Sequence, residues 1–508
     1  MEEKIPENQV ENNDGTSSEV DGSNEMVEYL DQEKKSKMKL VFLIFSIGIV
    51  FSGLNLIFFF DQIIFPKFLT SLLGETFPDK NADYVKSYSG TLYNFIRAVQ
   101  TLVYLVALIV AGAISDDLRT RFGNRLPMTL FGAILTGISY ICGFFIPLMS
   151  PLSDVVLTTL FLIIYSARAI GVACVYAPAY ALVSELFTKE ERGFVAAGLT
   201  YVGGIGSFLG LIFEMGIGEE FGLFMAIAGF LTILGGIIMF ILTPKRNPPF
   251  DPIDGVLYDI LNTPKYLLFI GNKNKESNKS FLILFLVQMC WGSVSYIISG
   301  NISLFVDTIN DIKGTDISPS FVLLLLGFSA VIVAAPVGYL MKILGKVKTA
   351  LIGSFVIALC AFALSIPLFY NPFGILLIAF MLGGAFITLS IINIALPADL
   401  VPRGKEGQFM GLFVVASSFF TPVVAILASW VLTLNPNDAL ANYGNLFLMA
   451  TAIEMLAIFF LLFIHYEDTI DAEYNEFQYR YLIFKGFLKD KSKSLTDGFK
   501  SVSKRPKW

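Results

Sequence analysis

The sequence predicts an all-α membrane protein of twelve transmembrane helices in two pseudo-symmetric six-helix halves, and three observations lead there. The 508-residue chain is 55% hydrophobic and only 15% charged, with 48 phenylalanines, whereas an ordinary globular domain carries about 25% charged residues. Its apolar residues gather into twelve runs of roughly 20 residues, the length that crosses a hydrocarbon core as a helix with its backbone groups bonded internally. The segment joining the fourth and fifth runs recurs, in related form, between the tenth and eleventh.

In chain order, residues 1–38 are rich in Glu, Asp, Asn and Ser with few large apolar side chains, a composition that predicts a disordered acidic tail. No short apolar stretch with a small-residue cleavage site precedes the first span, so that span reads as a retained anchor. The spans lie near 40–66, 88–115, 127–149, 155–186, 193–215, 221–243, 280–306, 319–341, 348–369, 373–399, 407–432 and 443–466. They divide into an N-terminal half, 39–243, and a C-terminal half, 280–466, joined by a connection at 244–279. In the tail at 467–508, the stretch "YNEFQYRYLIFKGFLKDKSK" (474–493) mixes aromatic, apolar and Lys residues in a pattern that predicts an interfacial helix.

Placing both termini in the cytoplasm puts 30 of the 36 Lys and Arg residues on the inner side, as the positive-inside rule requires. Only Lys67, Lys80, Lys86 and Lys313 fall outside, while Arg97 and Arg168 lie within spans. The cell membrane is the expected location. The net charge of −6 resides in the N-tail and outer loops and gives no ground for binding nucleic acid. Cys142, Cys174, Cys290 and Cys360 all fall in apolar spans, where Cys acts as a small hydrophobe. The single histidine, His465, sits at the inner end of the last span, which argues against a relay of buried histidines. No nucleophile, base and orienting group converge, and no phosphate-binding loop is present. The reading is therefore a protein that is not an enzyme, holds no cofactor or metal and acts as a monomer.

The repeat is specific. "ALVSELFTKEERG" (181–193) aligns without gaps on "ALPADLVPRGKEG" (395–407), with Glu185 opposite Asp399 and Lys189 opposite Arg403. A fainter pair matches "GAISDDLRTRFGNRLP" (112–127) with "GYLMKILGKVK" (338–348), each joining the second and third spans of its half. Duplicated six-helix units of this kind are related by an axis along the membrane normal.

This architecture, with Gly112, Asp116, Gly123 and Arg125 in the loop after the second span, resembles the major facilitator superfamily. The fuller string "SDDLRTRFGNRLP", together with "PKFLTSLLG" (66–74) and "LPADLVPRGKEGQFMGL" (396–412), is similar to its glycoside-pentoside-hexuronide:cation symporter and sucrose-transporter branch. The resemblance implies that Asp116 faces the N-terminus of the eleventh helix near Gly407 to Met410, where a helix dipole favours an anion. A carboxylate at the C-terminal end of its own helix needs such a partner. Arg119, Arg121 and Arg125 are placed to add charge-assisted bonds to Glu185 or Asp116. With Asp399, these residues form a conformational latch that exists only while the inner sides of the halves touch. Each arginine taken singly also fits a solvated turn. In the C-half copy Lys342 stands where the acid is expected, which removes the ground for a matching latch.

A charge at mid-bilayer is expensive and so points to a pathway. Arg168 lies near the centre of the fourth span, one of the cavity-lining helices that the resemblance implies, and reads as a substrate ligand or as half of a buried ion pair. Asp61 and Arg97 occupy the outer thirds of adjacent helices and read as an ion-coupling or gating pair. Asn55, Phe58, Phe59 and Gln62 share one helix face, and Gln288, Trp291, Ser295, Ser390 and Asn393 are the C-half counterparts. All are candidates for the substrate site or for interhelical hydrogen bonds. Glu454, midway along the last span, reads as a satisfied buried carboxyl. The sucrose and glycoside branch carries coupling acids in its first and fourth helices, whereas here the fourth carries Arg168 and the first only the outer Asp61. The Gly-Pro pattern of drug/proton antiporters is missing from "GGIGSFLG" (203–210). The expected function is secondary active transport of a sugar, glycoside or sugar acid, with Na+ or H+ as the possible coupling cation. The alternatives are transport of an amphipathic anion such as a lysolipid, and a non-transporting receptor of the same fold.

Overall fold

The computed structural model of the protein describes residues 18–61, 65–76, 82–146, 153–217, 221–245, 275–401, 405–432, 434–435 and 438–464. Gln62, His465, the tail stretch at 474–493 and most of the 244–279 connection lie outside them. All regular structure among the described residues is helical, and twelve helices are long and apolar enough to cross a membrane.

The helices that carry the spans are Ser18–Phe59, Ala82–Asp117, Leu126–Phe144, Asp154–Leu186, Lys189–Ile217 and Phe221–Leu242 in the first half, the first crossing from Met38. In the second they are Lys275–Lys313, Pro319–Leu344, Lys346–Leu364, Pro372–Leu400, the pair Glu406–Phe419 and Thr421–Leu432, and Ala439–Leu461. The face at which the first span begins is termed the inner face. Three features depart from the sequence reading. The first helix starts at Ser18, inside the segment whose composition predicts disorder; once the apolar span has nucleated a helix, adding residues to it is inexpensive. A separate short helix, Phe65–Thr76, follows the first span, and its Phe65, Phe68, Leu69, Leu72 and Leu73 pack into the outer core of the first half. The eleventh span is broken at Phe420, where Pro422 removes a backbone donor from the helical ladder.

The two halves repeat the same packing scheme. In the first, the first span packs on the fifth and sixth, the third on the fourth and sixth, and the second on the fourth. In the second half the seventh packs on the eleventh and twelfth, the ninth on the tenth and twelfth, and the eighth on the tenth. Glycines permit the closest approaches. A Cβ at Gly206 would collide with the carbonyl oxygen of Ser52, joining the fifth span to the first, and one at Gly292 would collide with that of Ser417, joining the seventh to the eleventh. Between halves, the second span meets the eleventh and the eighth meets the fifth, again as a symmetric pair. These contacts place the loops described next at one shared inner seam.

Candidate functional site

The loop after the second span is shaped by local chemistry. The Thr120 hydroxyl accepts from the amide of Phe122 at 3.1 Å and donates to the carbonyl of Gly123 at 2.6 Å. Gly123 has φ +91°, a left-handed conformation that disfavours side chains, and Pro127 then opens the third span. This turn drives Arg125 back under the second span. Asp116 meets the N-terminus of the eleventh span, accepting from the amides of Gly407 at 2.9 Å and Gln408 at 2.8 Å. Arg125 lies 2.5 Å from Asp116, 2.6 Å from Glu185 and 3.6 Å from Glu406, and donates to the Ser115 hydroxyl at 2.7 Å. Burial opposes the charge on Arg125, but Asp116, Glu185 and Glu406 outweigh it and hold the guanidinium above its ordinary range. Gly112 lets the helices touch here, since a Cβ would strike the Gly407 carbonyl.

Of the three loop arginines only Arg125 is buried; Arg119, expected in the latch, and Arg121 are exposed. Glu406 joins the cluster without having been singled out in the sequence. The second half also carries a clamp, contrary to the expectation drawn from Lys342, which is exposed. Asp399 pairs with Arg192 of the fifth span at 2.9 Å and with Lys346 at the start of the ninth. Arg192 also donates to the carbonyl of Ala398 at 2.9 Å, and Lys346 to that of Lys189 at 3.1 Å. Arg192 and Glu406 occupy equivalent places in the aligned loops. The two clamps are thus symmetric in position and opposite in charge: three acids around one arginine, and one acid between two cations.

Toward the outer face, Arg168 is fully buried and paired with Asp61, which also accepts from the Tyr140 hydroxyl. Arg168 donates to Tyr140 at 3.1 Å and stacks over Tyr165 at 4.6 Å, while Arg97 stands 4.0 Å from Asp61. Arg168 forms a buried ion pair, one of the two readings offered, through one nitrogen only; its Nε and Nη2 are buried without a hydrogen-bond partner, which keeps the ligand reading open. Trp291 is likewise buried and donates to Ser354 at 2.8 Å. Glu454 is buried beside that pair, with the Ser354 and Trp291 side chains as its polar neighbours, in keeping with the buried carboxyl expected. Asn55 and Phe59 lie against the glycines of the fifth span, where Cβ atoms at Gly203 and Gly210 would approach them to 2.9 and 2.7 Å.

What faces the boundary between halves instead is an aromatic cluster. Phe51 stacks on Tyr180 at 5.2 Å and meets Tyr176 at 5.3 Å; Tyr176 and Tyr180 pack edge-on at 5.3 Å, and Phe58 lies 6.1 Å from Tyr176. Tyr104 and Tyr176 pack against a small apolar cluster that includes Leu108, Ala177 and, from the other half, Val415. Gln100, one turn before Tyr104 on the same helix face, has a buried amide oxygen with no partner, as do Gln288 and Asn393. Ser390, one turn before Asn393, is exposed. The tyrosines escaped the sequence reading because 20 Tyr and 48 Phe residues spread through the apolar spans give no local contrast.

The profile of the Major Facilitator Superfamily matches residues 40–425 and 284–506. The chain belongs to this superfamily of membrane transporters and is an integral membrane protein. Comparison with curated proteins finds no match. Among solved structures, the chain is similar to the human organic anion transporter MFSD10 (TETRAN), with TM-score 0.62 and 16% identity over 84% of this chain and 99% of that one. It is similar to an outward-facing bacterial homologue of the iron transporter ferroportin, with TM-score 0.61 and 14% identity over 84% and 98%. It is also similar to the proton:xylose symporter XylE bound to 6-bromo-6-deoxy-D-glucose, with TM-score 0.60 and 18% identity over 83% and 96%. Identities this low establish the shared fold.

Proposed function

We propose that the protein is a secondary transporter working by alternating access, and that its substrate is a neutral hydroxylated ring, a sugar or glycoside. The observation that carries the reading is the cluster of Phe51, Phe58, Tyr104, Tyr176 and Tyr180, with the buried, unpaired amide oxygen of Gln100 one turn from Tyr104. Aromatic faces suit the apolar C–H face of a sugar ring, and unpaired buried acceptors call for hydroxyl donors. These groups carry no formal charge. The resemblance of the loop at 112–127 to the glycoside and sucrose branch supports the same class, as does the xylose symporter among the proteins of like fold. A sugar acid is the second reading, favoured by the partly exposed Arg97, 29% accessible and 4.0 Å from Asp61.

Uptake into proteoliposomes tests this. Labelled neutral glycosides should accumulate under an imposed Na+ or H+ gradient, and Tyr176→Ala or Tyr180→Ala should cut uptake by up to about tenfold, the scale of one lost aromatic contact of about 0.5–1.5 kcal/mol. Preferential uptake of uronic acids would move the assignment to the sugar acid. Flux of lysolipids alone would overturn it in favour of the amphipathic anion, and no flux under any gradient would favour a receptor.

A further inference from the structure

We infer that the inner edge of the third and sixth spans holds the phosphate of an anionic phospholipid, bound between Arg121 and Lys245. Both cations stack on one ring. The Arg121 guanidinium lies 4.6 Å from the centroid of Phe122, and the Lys245 ammonium lies 4.9 Å from the same centroid and 6.0 Å from that of Phe240. Phe122 and Phe240 are themselves in contact at 5.2 Å. Among the described residues no carboxylate pairs with either cation. Two like charges gathered on a common ring repel each other, and a shared anion removes the repulsion; an Arg and a Lys together suit a phosphate, which accepts from both.

The position selects a lipid as the source. Phe240 closes the last turn of the sixth span and Lys245 follows three residues beyond its end, at the level where headgroups begin. Outward from that point the same two helices present bare apolar side chains, Phe131 on the third and Ile237 and Ile241 on the sixth, with Ile241 66% exposed. A phospholipid laid there places its acyl chain along these residues and its phosphate at the two cations. Arg121 belongs to the loop that carries Asp116 and Arg125, so the ligand would sit beside one clamp without touching it.

Native mass spectrometry of the full chain, purified with equal phosphatidylglycerol and phosphatidylcholine, reads the site directly. The wild type should retain phosphatidylglycerol in preference. R121Q/K245Q should lose that preference roughly tenfold or more, the weight of two interfacial cations toward an anionic lipid, and each single variant should lose part of it. K348Q, at an exposed inner lysine of the other half, should leave the preference intact. Equal retention by wild type and double variant would overturn the inference, as would an equal loss in K348Q, which would mean diffuse attraction. Displacement of the lipid by inorganic phosphate alone would overturn it in favour of a free-anion site. Unchanged melting of the single variants keeps the comparison valid if the double variant folds poorly.

Discussion

Arg168 and Asp61 put two opposite charges out of water in the core of the first half. Breaking a buried pair leaves one charge without a partner, which typically lowers stability by about 3–5 kcal/mol, whereas removing both partners is far milder. Arg168→Ala and Asp61→Asn should therefore each lower the melting temperature strongly, and the double variant should recover most of the loss. Additive losses in the double variant would show that the residues are not coupled and would favour Arg168 as a ligand. An ion pair at Arg168 was legible in the sequence as one of two readings, because the residue is a conspicuous charge in an apolar span; its partner was not settled, since Asp61 read as the partner of Arg97. The enclosure was not legible, since Tyr140 and Tyr165, which complete it, look like any other aromatic residue in a membrane helix.

At the scale of elements, the contacts between helices turn on whether a Cβ fits. Gly206 faces the Ser52 carbonyl with no room for one, while Gly204, two residues earlier, has nothing within 4 Å. Gly206→Ala should force the first and fifth spans apart and lower stability by about 1–3 kcal/mol, the usual range for overpacking. Gly204→Ala should be neutral or stabilising by up to about 1 kcal/mol, since Ala is the better helix former. Comparable melting temperatures for the two variants would show that the close approach is not a constraint on packing. The twelve helices themselves were readable because runs of apolar residues of membrane length are a strong signal. The short helix at Phe65–Thr76 and the break at Phe420 were not, because each depends on the end of a longer apolar run whose hydropathy hides it.

Over the whole molecule, two clamps of opposite charge hold the inner seam: Asp116 against the amides of Gly407 and Gln408, and Asp399 against Arg192 and Lys346. Asp116 was foreseeable because an acid at a helix C-terminus needs an external partner. Arg192, Lys346 and Glu406 were not, because their partners come from helices brought together only by the packing of the two halves. Both clamps join the same halves, so each biases one shared equilibrium between a closed and an open inner side, and their contributions should multiply in its constant. Ala177 reports that equilibrium: it is fully buried against the eleventh span, near Gly411. In a background lacking the native cysteines, Ala177→Cys should be alkylated slowly. Asp116→Asn weakens charge-assisted bonds worth about 1.5–3 kcal/mol, so labelling from the inner side should rise roughly tenfold or more. Arg192→Gln should raise it by a similar factor, and the two together by roughly the product. Unchanged labelling in Asp116→Asn would sink the clamp as a conformational device. Labelling in the double variant no faster than in the better single one would show that only one clamp bears on the equilibrium.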